Sequence, residues 1–320
     1  MSGPTLVRRL LVGVMLGVVV YAGFVLFRGY RTIQGQLATF DWSMYALALA
    51  MTFGNYCLRF LKWEFYLKRL DVRGVPKLDS FLTFLSGFVL TVTPGKVGEV
   101  FKSLVLHETY DVPGARTAPI VVAERLTDLI GIIALVIVGS LGFSGGLVWA
   151  GAGAVAVAVV LALVASRSVP DLVVSRMERS QGVIGRLAPK VKTAWESLRT
   201  LVAPSALVVP TLLSCVSWAL EGLSLYVILL GFHTTPSATL SLFTYSTSQL
   251  AGALIPVPGG LGITEGSLEQ QLVRLGGIEQ AAATSAMILV RIATLWFAVL
   301  LGFLALAALR RRHPRLLAAR

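Results

Sequence analysis

The chain has 320 residues, of which 56% are hydrophobic and only 14% charged, and its mean hydropathy is +0.79. A soluble domain of this size needs about a quarter charged residues to coat its surface, so this composition excludes a soluble globular protein. The formal charge of +12 does not indicate nucleic-acid binding, because the basic residues lie between apolar runs and at the chain ends. That placement is typical of anionic lipid contacts and of topology control.

Six apolar runs approach or exceed the roughly 18–20 residues that cross a bilayer as a helix. The first follows Arg8 and Arg9 as a signal peptide would, but no small-x-small cleavage site follows it. We interpret it as a retained anchor with its N-terminus inside the cell. The six runs are 10–27, 42–61, 118–140, 147–165, 206–231 and 281–309.

Two further apolar segments, 79–107 and 237–275, are each interrupted in the middle by Pro-Gly. Such a segment can enter the membrane, turn and leave on the same side. Its turn must be enclosed by protein or line a wet cavity, because lipid offers no partners to free backbone groups. The sequence therefore predicts an all-α polytopic membrane protein with six transmembrane helices and two re-entrant helical hairpins.

The distribution of lysine and arginine tests this topology, because cytoplasmic loops of membrane proteins are enriched in both. With both broken segments re-entrant, every basic cluster and both termini fall in the cytoplasm of an inner-membrane protein. If only one of the two broken segments crossed the membrane completely, either the 166–205 linker or the basic tail would lie on the wrong side. The clusters are Lys62, Lys68, Arg69, Arg73 and Lys77, then Arg116, the linker, and the tail from Arg310.

The linker is predicted to be cytoplasmic and amphipathic rather than a separate domain. Residues 190–202 have the periodicity of a helix, with Val191, Trp195, Leu198 and Leu201 on one face. That pattern suits a helix lying in the membrane interface with a tryptophan anchor. A solvated connector is the alternative interpretation.

The two Pro-Gly segments resemble each other, which indicates an internal duplication. In both, Pro-Gly is followed by one residue, an aliphatic residue, Gly and Glu, with two extra residues before the Glu in the second segment. An arginine follows within a later apolar run. From Pro94 to Arg125 there are 31 residues, and from Pro258 to Arg291 there are 33. The predicted halves are 42–140 and 206–309. Three crossings separate the two segments, so the halves form an inverted repeat, a recurring design of transporters.

Each Pro-Gly turn is a candidate anion site. Pro ends the incoming helix, Gly permits positive φ, and the restarted helix presents free N–H groups and the positive end of its dipole. Lys96 adds a point charge at the first turn. The alternative is that the turns only reverse the chain while Glu99 and Glu265 cap the restarted helices. The turn residues are Pro94, Gly95 and Gly98, and Pro258, Gly259, Gly260 and Gly262.

Two arginines lie deep in predicted spans, about 10 Å for Arg125 and about 15 Å for Arg291 at 1.5 Å per residue. Charges at that depth face a bundle interior or a cavity, and guanidinium groups bind phosphate with two parallel hydrogen bonds. Arg125 has an alternative role, because Glu124 is adjacent and Asp128 lies one turn later. Arg291 has no acidic neighbour on its own helix, so its partner is Glu265, Glu221, backbone or ligand.

Glu221 lies in the middle of a predicted span, where an unpaired carboxylate would be protonated. It either couples transport to protons or pairs with Arg291, and we favour the pairing. Arg59 lies near the cytoplasmic end of its span and can extend to the interface, so we assign it a structural role. The histidines form no metal spacing, and no glycine-rich phosphate loop precedes a soluble domain, so neither a metal, a cofactor nor ATP hydrolysis is predicted.

These motifs resemble those of the lysylphosphatidylglycerol synthase transmembrane-domain, or flippase-like, family. The likeness covers nearly the whole chain and implies lipid translocation by a homodimer. Members include the membrane half of multiple-peptide-resistance proteins, which flips aminoacylated phosphatidylglycerol, while others are linked to polyprenyl-phosphate glycolipids. This chain ends soon after the last span without a soluble aminoacyl-transferase domain, so a separate enzyme is expected to make the lipid. The likeness rests on residues 93–99, on Glu124-Arg125 with Asp128, and on 258–266.

The function predicted from the sequence is the flipping or transport of an anionic, phosphate-bearing lipid. Its headgroup is predicted to be bound by Lys96, Arg125 and Arg291. One rival is a secondary transporter of a small soluble anion. A second is a membrane transferase acting on a polyprenyl phosphate, for which Glu99, Glu124 and Asp128 are the available carboxylates. A third is a scaffold for other envelope enzymes. We favour a transporter over an enzyme.

Overall fold

The computed structural model is all-helical over the residues that it describes, and no strand occurs among them. The all-α class predicted from the sequence is thereby confirmed. The described residues are 30–91, 99–140, 183–254, 257–314 and 316, with positions 19, 23, 151, 154, 155, 158, 159, 162 and 175–177. The predicted spans 10–27 and 147–165 fall almost wholly outside these ranges, as does the first Pro-Gly turn.

Twelve α-helices are numbered here in chain order among the described residues. A 3-10 turn, Gly87–Leu90, extends the third helix, and a π-helical turn, Ile292–Trp296, joins the last two. The helices are α1 Tyr30–Ala38, α2 Trp42–Arg69, α3 Lys77–Ser86, α4 Phe101–Tyr110, α5 Gly114–Thr117, α6 Pro119–Ser140, α7 Val183–Leu201, α8 Pro204–Gly231, α9 Ala238–Leu254, α10 Ile263–Arg274, α11 Gln280–Arg291 and α12 Phe297–Arg312.

Two described helical stretches are long and apolar enough to cross a membrane by length and composition. They are α8 and the continuous rod Gln280–Arg312. The helix α2, with 28 residues, also exceeds the roughly 20 residues that a bilayer requires. The helix α6 has 22 residues and carries Glu124, Arg125 and Asp128 within its apolar sequence. The structure thus supports membrane-spanning helices, while the six-crossing topology stays a prediction.

The helices α2 and α8 have the same length and end in the same way. Each contains 28 residues. The Asp41 side chain caps α2 by accepting the N–H of Ser43 at 2.9 Å, whereas α8 begins on Pro204, which has no N–H to leave unsatisfied. Two residues after each helix, Asp71 and His233 are left-handed, with φ of 52° and 56°. This conformation stops both helices.

These two helices lie side by side and antiparallel at the centre of the molecule. The N–H of Asp41, before α2, donates to the carbonyl of Gly231, the last residue of α8, at 3.0 Å. Further along, Lys62 of α2 donates to Ser214 of α8 at 2.8 Å. Early residues of one helix therefore meet late residues of the other along the whole contact.

The first broken segment folds back on itself. Tyr110, the last residue of α4, donates a hydrogen bond to Asp79 in the first turn of α3. At the other end, Gly87 leaves the space that the methylene chain of Lys102 fills. Since late residues of α4 meet early residues of α3, the two helices form an antiparallel hairpin around the Pro-Gly turn, which itself lies outside the described residues.

The second broken segment forms an antiparallel hairpin as well. Thr247 of α9 donates to Gln271 of α10 at 2.7 Å. Nearer the turn, Gly252 and Thr264 touch so closely that a Cβ at Gly252 would lie 2.1 Å from the threonine hydroxyl. Only glycine allows this approach, which brings the two arms together beneath the break.

Each hairpin is covered by a long helix from the other half of the chain. Gly139 of α6 lies against the backbone of Phe243 in α9, and Gly302 of α12 lies against Leu85 and Val89 of the first hairpin. Small residues permit such close helix contacts, which stabilise membrane bundles where lipid provides no hydrophobic driving force between helices. Each hairpin therefore packs closely against a helix of the other half of the chain.

The linker helix α7 is longer than the sequence predicted, beginning at Val183 rather than at 190. Leu198 and Leu201 are buried against the bundle, and the helix contacts α5 and α6. Lys190, Lys192 and Arg199 remain exposed on its other side. The helix is therefore amphipathic, with its apolar face packed on protein.

The chain end after α12 is tied to the mouth of the first hairpin. Arg312 and His313 bind the two carboxylate oxygens of Asp79 at 2.6 and 2.8 Å, and Leu316 is buried nearby. Burial raises the pKa of Asp79, but hydrogen bonds from Tyr110, His313 and Arg312 outweigh it and hold that pKa below its usual value. The tail is thus held by a carboxylate that stays ionised at neutral pH.

Candidate functional site

In the first half, the motif glutamate and the deep arginine form an ion pair. Arg125 of α6 donates to both carboxylate oxygens of Glu99, which directly precedes the second arm of the hairpin. Its second acidic neighbour, Asp128, is 3.7 Å away. The Arg125 side chain is 28% exposed, and its buried Nε has no hydrogen-bond partner among the described residues. This arginine is therefore not fully satisfied within the part of the chain that is described.

Asp128 is the centre of a buried network that the sequence did not reveal. Lys62 of α2 donates to it at 2.5 Å, Ser214 of α8 at 3.0 Å and Arg59 at 3.5 Å. Lys62 is 1% exposed, so its charge depends on these partners. The sequence placed Lys62 after the end of the second span, which was wrong, because α2 continues to Arg69 and Lys62 is buried in the bundle.

A second buried pair, Lys102 and Glu124, lies beside this network at 2.6 Å. The Lys102 ammonium also lies 4.7 Å from the centre of the Trp63 ring, which adds a cation–π contact. Glu124 therefore holds the second arm of the first hairpin onto α6. We interpret this pair as structural.

In the second half, the motif glutamate and the deep arginine also pair. Arg291 Nε donates to Glu265 at 2.7 Å, and its Nη2 donates to the carbonyl of Gly259 at 2.9 Å. The other oxygen of Glu265 accepts the N–H of Gly262 at 2.7 Å, at the start of α10. Gly259, Gly260 and Gly262 have φ of 62°, 69° and 85°, a region that favours glycine. The anion at this helix start is thus the protein's own carboxylate.

The two Glu–Arg pairs have the same spacing in the sequence. Glu99 and Arg125 are 26 residues apart, and so are Glu265 and Arg291. In both halves the glutamate lies beside the Pro-Gly break and the arginine lies on the helix that follows the hairpin. The pairs differ in exposure, since the side chain of Arg291 is only 3% exposed.

Glu221 lies where α2 and α8 cross. Tyr245 of α9 donates to one of its carboxylate oxygens at 2.6 Å, and Asn55 of α2 donates to the other. Gln249 in turn donates to the Tyr245 hydroxyl at 2.9 Å. These bonds join Glu221 to a tyrosine and an asparagine, and the pairing with Arg291 that the sequence favoured stays a prediction.

One cavity lies between these groups. It is partly open to the outside. Trp218 and Thr91 line this cavity. Nε1 of Trp218 and Oγ1 of Thr91 are buried and have no hydrogen-bond partner among the described residues. The charged residues of the wall are Arg59 and Glu99, contributed by the first half, and Glu221 and Arg291, contributed by the second.

The family model of the lysylphosphatidylglycerol synthase TM region matches residues 14–302. The chain belongs to this family. It is similar over 318 residues, at 22% identity, to a UPF0104 membrane protein of Methanothermobacter thermautotrophicus, with 90% of each chain covered. It also resembles a UPF0104 membrane protein of Methanocaldococcus jannaschii at 22% identity over 224 residues, which is 67% of this chain and 91% of that protein.

The match to the lysylphosphatidylglycerol synthase TM region includes both Glu–Arg pairs and the whole cavity wall. The family suggests a membrane protein with a lipid-related function. It also confirms the resemblance that the paired Pro-Gly motifs indicated in the sequence.

The cations that line the cavity differ from those that the sequence predicted. Arg59, assigned a structural role from the sequence, lines the wall, while Arg125 lies behind Glu99. No signal in the sequence marks Arg59, because the burial of Lys62, three residues later on the same helix face, is known only from the structure. Trp218 was missed because one tryptophan in an apolar run gives no distinguishing signal. The predicted residues Pro94, Gly95, Lys96 and Gly98 lie outside the described residues.

Proposed function

We propose that this protein transports an anionic, phosphate-bearing lipid across the cytoplasmic membrane, as a flippase rather than an enzyme. The proposal rests on one observation above all: Arg59 and Arg291, from opposite halves of the chain, line the same cavity inside a helical membrane bundle. Each of these arginines is paired with a carboxylate, Asp128 for Arg59 and Glu265 for Arg291, and a guanidinium in a cavity can exchange such a partner for another anion. A lipid phosphate is the anion that a membrane supplies, and guanidinium binds it through two hydrogen bonds.

The arrangement of the halves supports transport rather than static binding. Equal-length helices α2 and α8 run antiparallel, and each hairpin is covered by the long helix of the other half. We interpret 42–140 and 206–309 as inverted repeats with re-entrant hairpins. Inverted repeats give two related conformations that open to opposite sides around a shared site.

The Glu–Arg pairs provide a mechanism of exchange. Glu265 binds both Arg291 and the N–H of Gly262 at the start of α10. A phosphodiester carries one negative charge, as that carboxylate does, and it also accepts two parallel hydrogen bonds from a guanidinium, so it can compete with Glu265 for Arg291. Glu99 plays the corresponding part for Arg125. The transferase alternative is weaker, because Glu99, Glu124 and Asp128 each bind a basic side chain and so do not form a cluster of free carboxylates.

The first test is a flipping assay with purified protein in liposomes. Phosphatidylglycerol with a fluorescent acyl chain should lose nearly all fluorescence to an external reductant, against about half in protein-free liposomes, because the protein moves label between leaflets. Labelled phosphatidylcholine, which is zwitterionic, should behave as in protein-free liposomes. Labelled polyprenyl phosphate is tested in parallel, since the cavity selects phosphate rather than a glycerol backbone. If none of the anionic probes moves faster than phosphatidylcholine, the proposed function is wrong.

A second test concerns topology. The basic clusters place both termini and the 166–205 linker in the cytoplasm. In a variant without Cys57 and Cys215, a cysteine introduced at Lys192, which is exposed on α7, should resist a membrane-impermeant thiol reagent in intact cells and react after lysis. A cysteine at Thr235, beyond α8, is the control on the opposite side and should react in intact cells. Labelling of the Lys192 position from outside would overturn the inverted-repeat model.

A further inference from the structure

Three hydrogen-bond donors of the cavity wall lack full partners within the described part of the chain. Nε1 of Trp218 and Oγ1 of Thr91 are buried and make no hydrogen bond there, although a buried indole N–H or hydroxyl group normally has a partner. Arg59 makes one hydrogen bond there, to Asp128 at 3.5 Å, although a guanidinium carries several N–H donors. Asp128 is bound more closely by Lys62, at 2.5 Å. Arg59 therefore has donors left for a ligand.

The two central helices place Arg59 opposite Trp218. Each helix contributes three residues at positions i, i+4 and i+7, which lie on one helix face. At one end of the two sets Asn55 donates to Glu221. At the other end Lys62 donates to Ser214 at 2.8 Å. The middle residues, Arg59 and Trp218, therefore face each other between these two contacts. The sets are Asn55, Arg59 and Lys62 of α2, and Ser214, Trp218 and Glu221 of α8.

Thr91 reaches the same place from the first hairpin. It directly follows the 3-10 turn Gly87–Leu90, and its N–H donates to the carbonyl of Phe88 at 3.1 Å. The centre of the Phe88 ring lies 6.0 Å from the guanidinium carbon of Arg59, which is a cation–π contact. Phe88 also lines the cavity. One short turn thus brings both a ring and a hydroxyl group to the side of Arg59.

The other charged groups of the wall have partners. Glu99 pairs with Arg125, and Arg291 pairs with Glu265. Glu221 accepts hydrogen bonds from its neighbours on α2 and α9. What the described wall leaves over is a set of donors around one guanidinium. Such a set selects an anion with several acceptor oxygens rather than a cation or an apolar group.

We propose that Arg59, Trp218 and Thr91 form the subsite that binds the phosphate of the lipid headgroup. Arg59 binds two phosphate oxygens through parallel N–H groups, and the indole N–H and the hydroxyl group donate to the acceptors that are left. The inference rests on the proposed lipid transport and names the residues that recognise its substrate. Trp218 determines specificity within the set, because an indole N–H only donates and so requires an acceptor on the ligand.

The test is calorimetric titration of purified protein in detergent with short-chain lipid probes, dihexanoyl phosphatidylglycerol and farnesyl phosphate. Trp218→Phe keeps an aromatic ring without the N–H, and Thr91→Val keeps the shape without the hydroxyl group. Each variant should bind the probes about tenfold more weakly, the loss expected for one hydrogen bond to a charged group. Neither should melt at a lower temperature than wild type, because the group that is removed has no partner among the described residues.

Two control variants change the same kinds of group outside the cavity. Thr83 also has a buried hydroxyl group without a partner among the described residues, but it does not line the cavity. Thr83→Val should bind the probes as wild type does. Nε1 of Trp63 donates to Ser80 at 3.2 Å, also away from the cavity wall. Trp63→Phe should keep the affinity for the probes and melt at a lower temperature, because it loses this hydrogen bond.

A third probe, inorganic phosphate, separates a lipid headgroup from the free anion. Phosphate should not displace the lipid probes at equal concentration, because it lacks the acyl or prenyl chain. Displacement at equal concentration would mean that the subsite serves free phosphate, which overturns its assignment to a lipid.

The remaining outcomes separate the subsite from the proposed transport. Wild-type protein that binds neither lipid probe overturns the subsite, as does unchanged affinity in both Trp218→Phe and Thr91→Val. If these two variants flip lipid at the wild-type rate, transport stands and the subsite is wrong. If the probes bind in the expected pattern but no lipid is flipped, the subsite stands and the proposed transport is wrong.

Discussion

Replacing Asp128 by asparagine is expected to destabilise the protein by about 3–5 kcal/mol, the usual cost of removing one partner from a buried ion pair. Asp128 binds Lys62 at 2.5 Å and lies within reach of Arg59 and Arg125. Without its carboxylate, Lys62, which is 1% exposed, would lose its ion-pair partner inside the bundle. Thermal unfolding in detergent, followed by tryptophan fluorescence, measures the effect.

The control for this prediction is Asp71→Asn. Asp71 pairs with Arg73 at 2.6 Å, but both side chains are largely exposed, and exposed pairs contribute about 0–1 kcal/mol. Asparagine also tolerates the left-handed conformation of this position, where φ is 52°. The control should melt within a few degrees of wild type. Equal melting of the two variants would mean that Asp128 does not hold α2, α6 and α8 together.

The recurring motif at the two breaks could be predicted from the sequence because its signal is local. Each half repeats Pro-Gly, then Gly and Glu, and then an arginine at a fixed distance, and no knowledge of distant contacts is needed to detect that order. Both Glu–Arg spacings are 26 residues, and the structure adds that each pair is in contact. The same separation along the chain therefore corresponds to the same kind of contact in both halves.

The Asp128 network could not be predicted in this way. Lys62 and Asp128 are 66 residues apart, and no sequence pattern connects them. Hydropathy ended the second span at 61, since charged residues lower the average where α2 in fact continues to Arg69. Lys62 was thereby placed in a cytoplasmic cluster, and Arg59 was assigned to the interface. Hydropathy places the end of a helix wrongly at buried charges, because the partners that stabilise these charges lie on other helices.

The partner of Arg291 was left open for a different reason. The sequence offered Glu265, Glu221, backbone or ligand, and choosing among them requires the shape of the turn. Three glycines with positive φ direct the Gly259 carbonyl and the Glu265 carboxylate toward the arginine. The spacing of residues in the sequence does not show which carbonyl group a turn exposes, so the sequence alone does not identify the partner of Arg291.

Substituting Arg291 by lysine is expected to reduce lipid flipping at least about tenfold while leaving the fold intact. Lysine keeps the charge that pairs with Glu265, but it cannot also bind the Gly259 carbonyl and a phosphate in the planar geometry of a guanidinium. The lost hydrogen bond should cost about 1 kcal/mol of stability. Arg291→Gln removes the charge and should abolish flipping. The measurement is the liposome assay with labelled phosphatidylglycerol, beside a melting curve for each variant.

Arg312→Lys is the matched control, because Arg312 also pairs with a buried carboxylate, Asp79 at 2.6 Å, but lies outside the cavity. It should flip lipid at the wild-type rate. A purely structural role of Arg291 predicts a different pattern, in which Arg291→Lys flips normally and Arg291→Gln loses activity only in proportion to its loss of folded protein. The decisive comparison is therefore the flipping rate per folded molecule. If Arg291→Gln is folded and flips lipid as fast as wild type, Arg291 does not bind the headgroup, and the buried pair with Glu265 serves only to close the second hairpin.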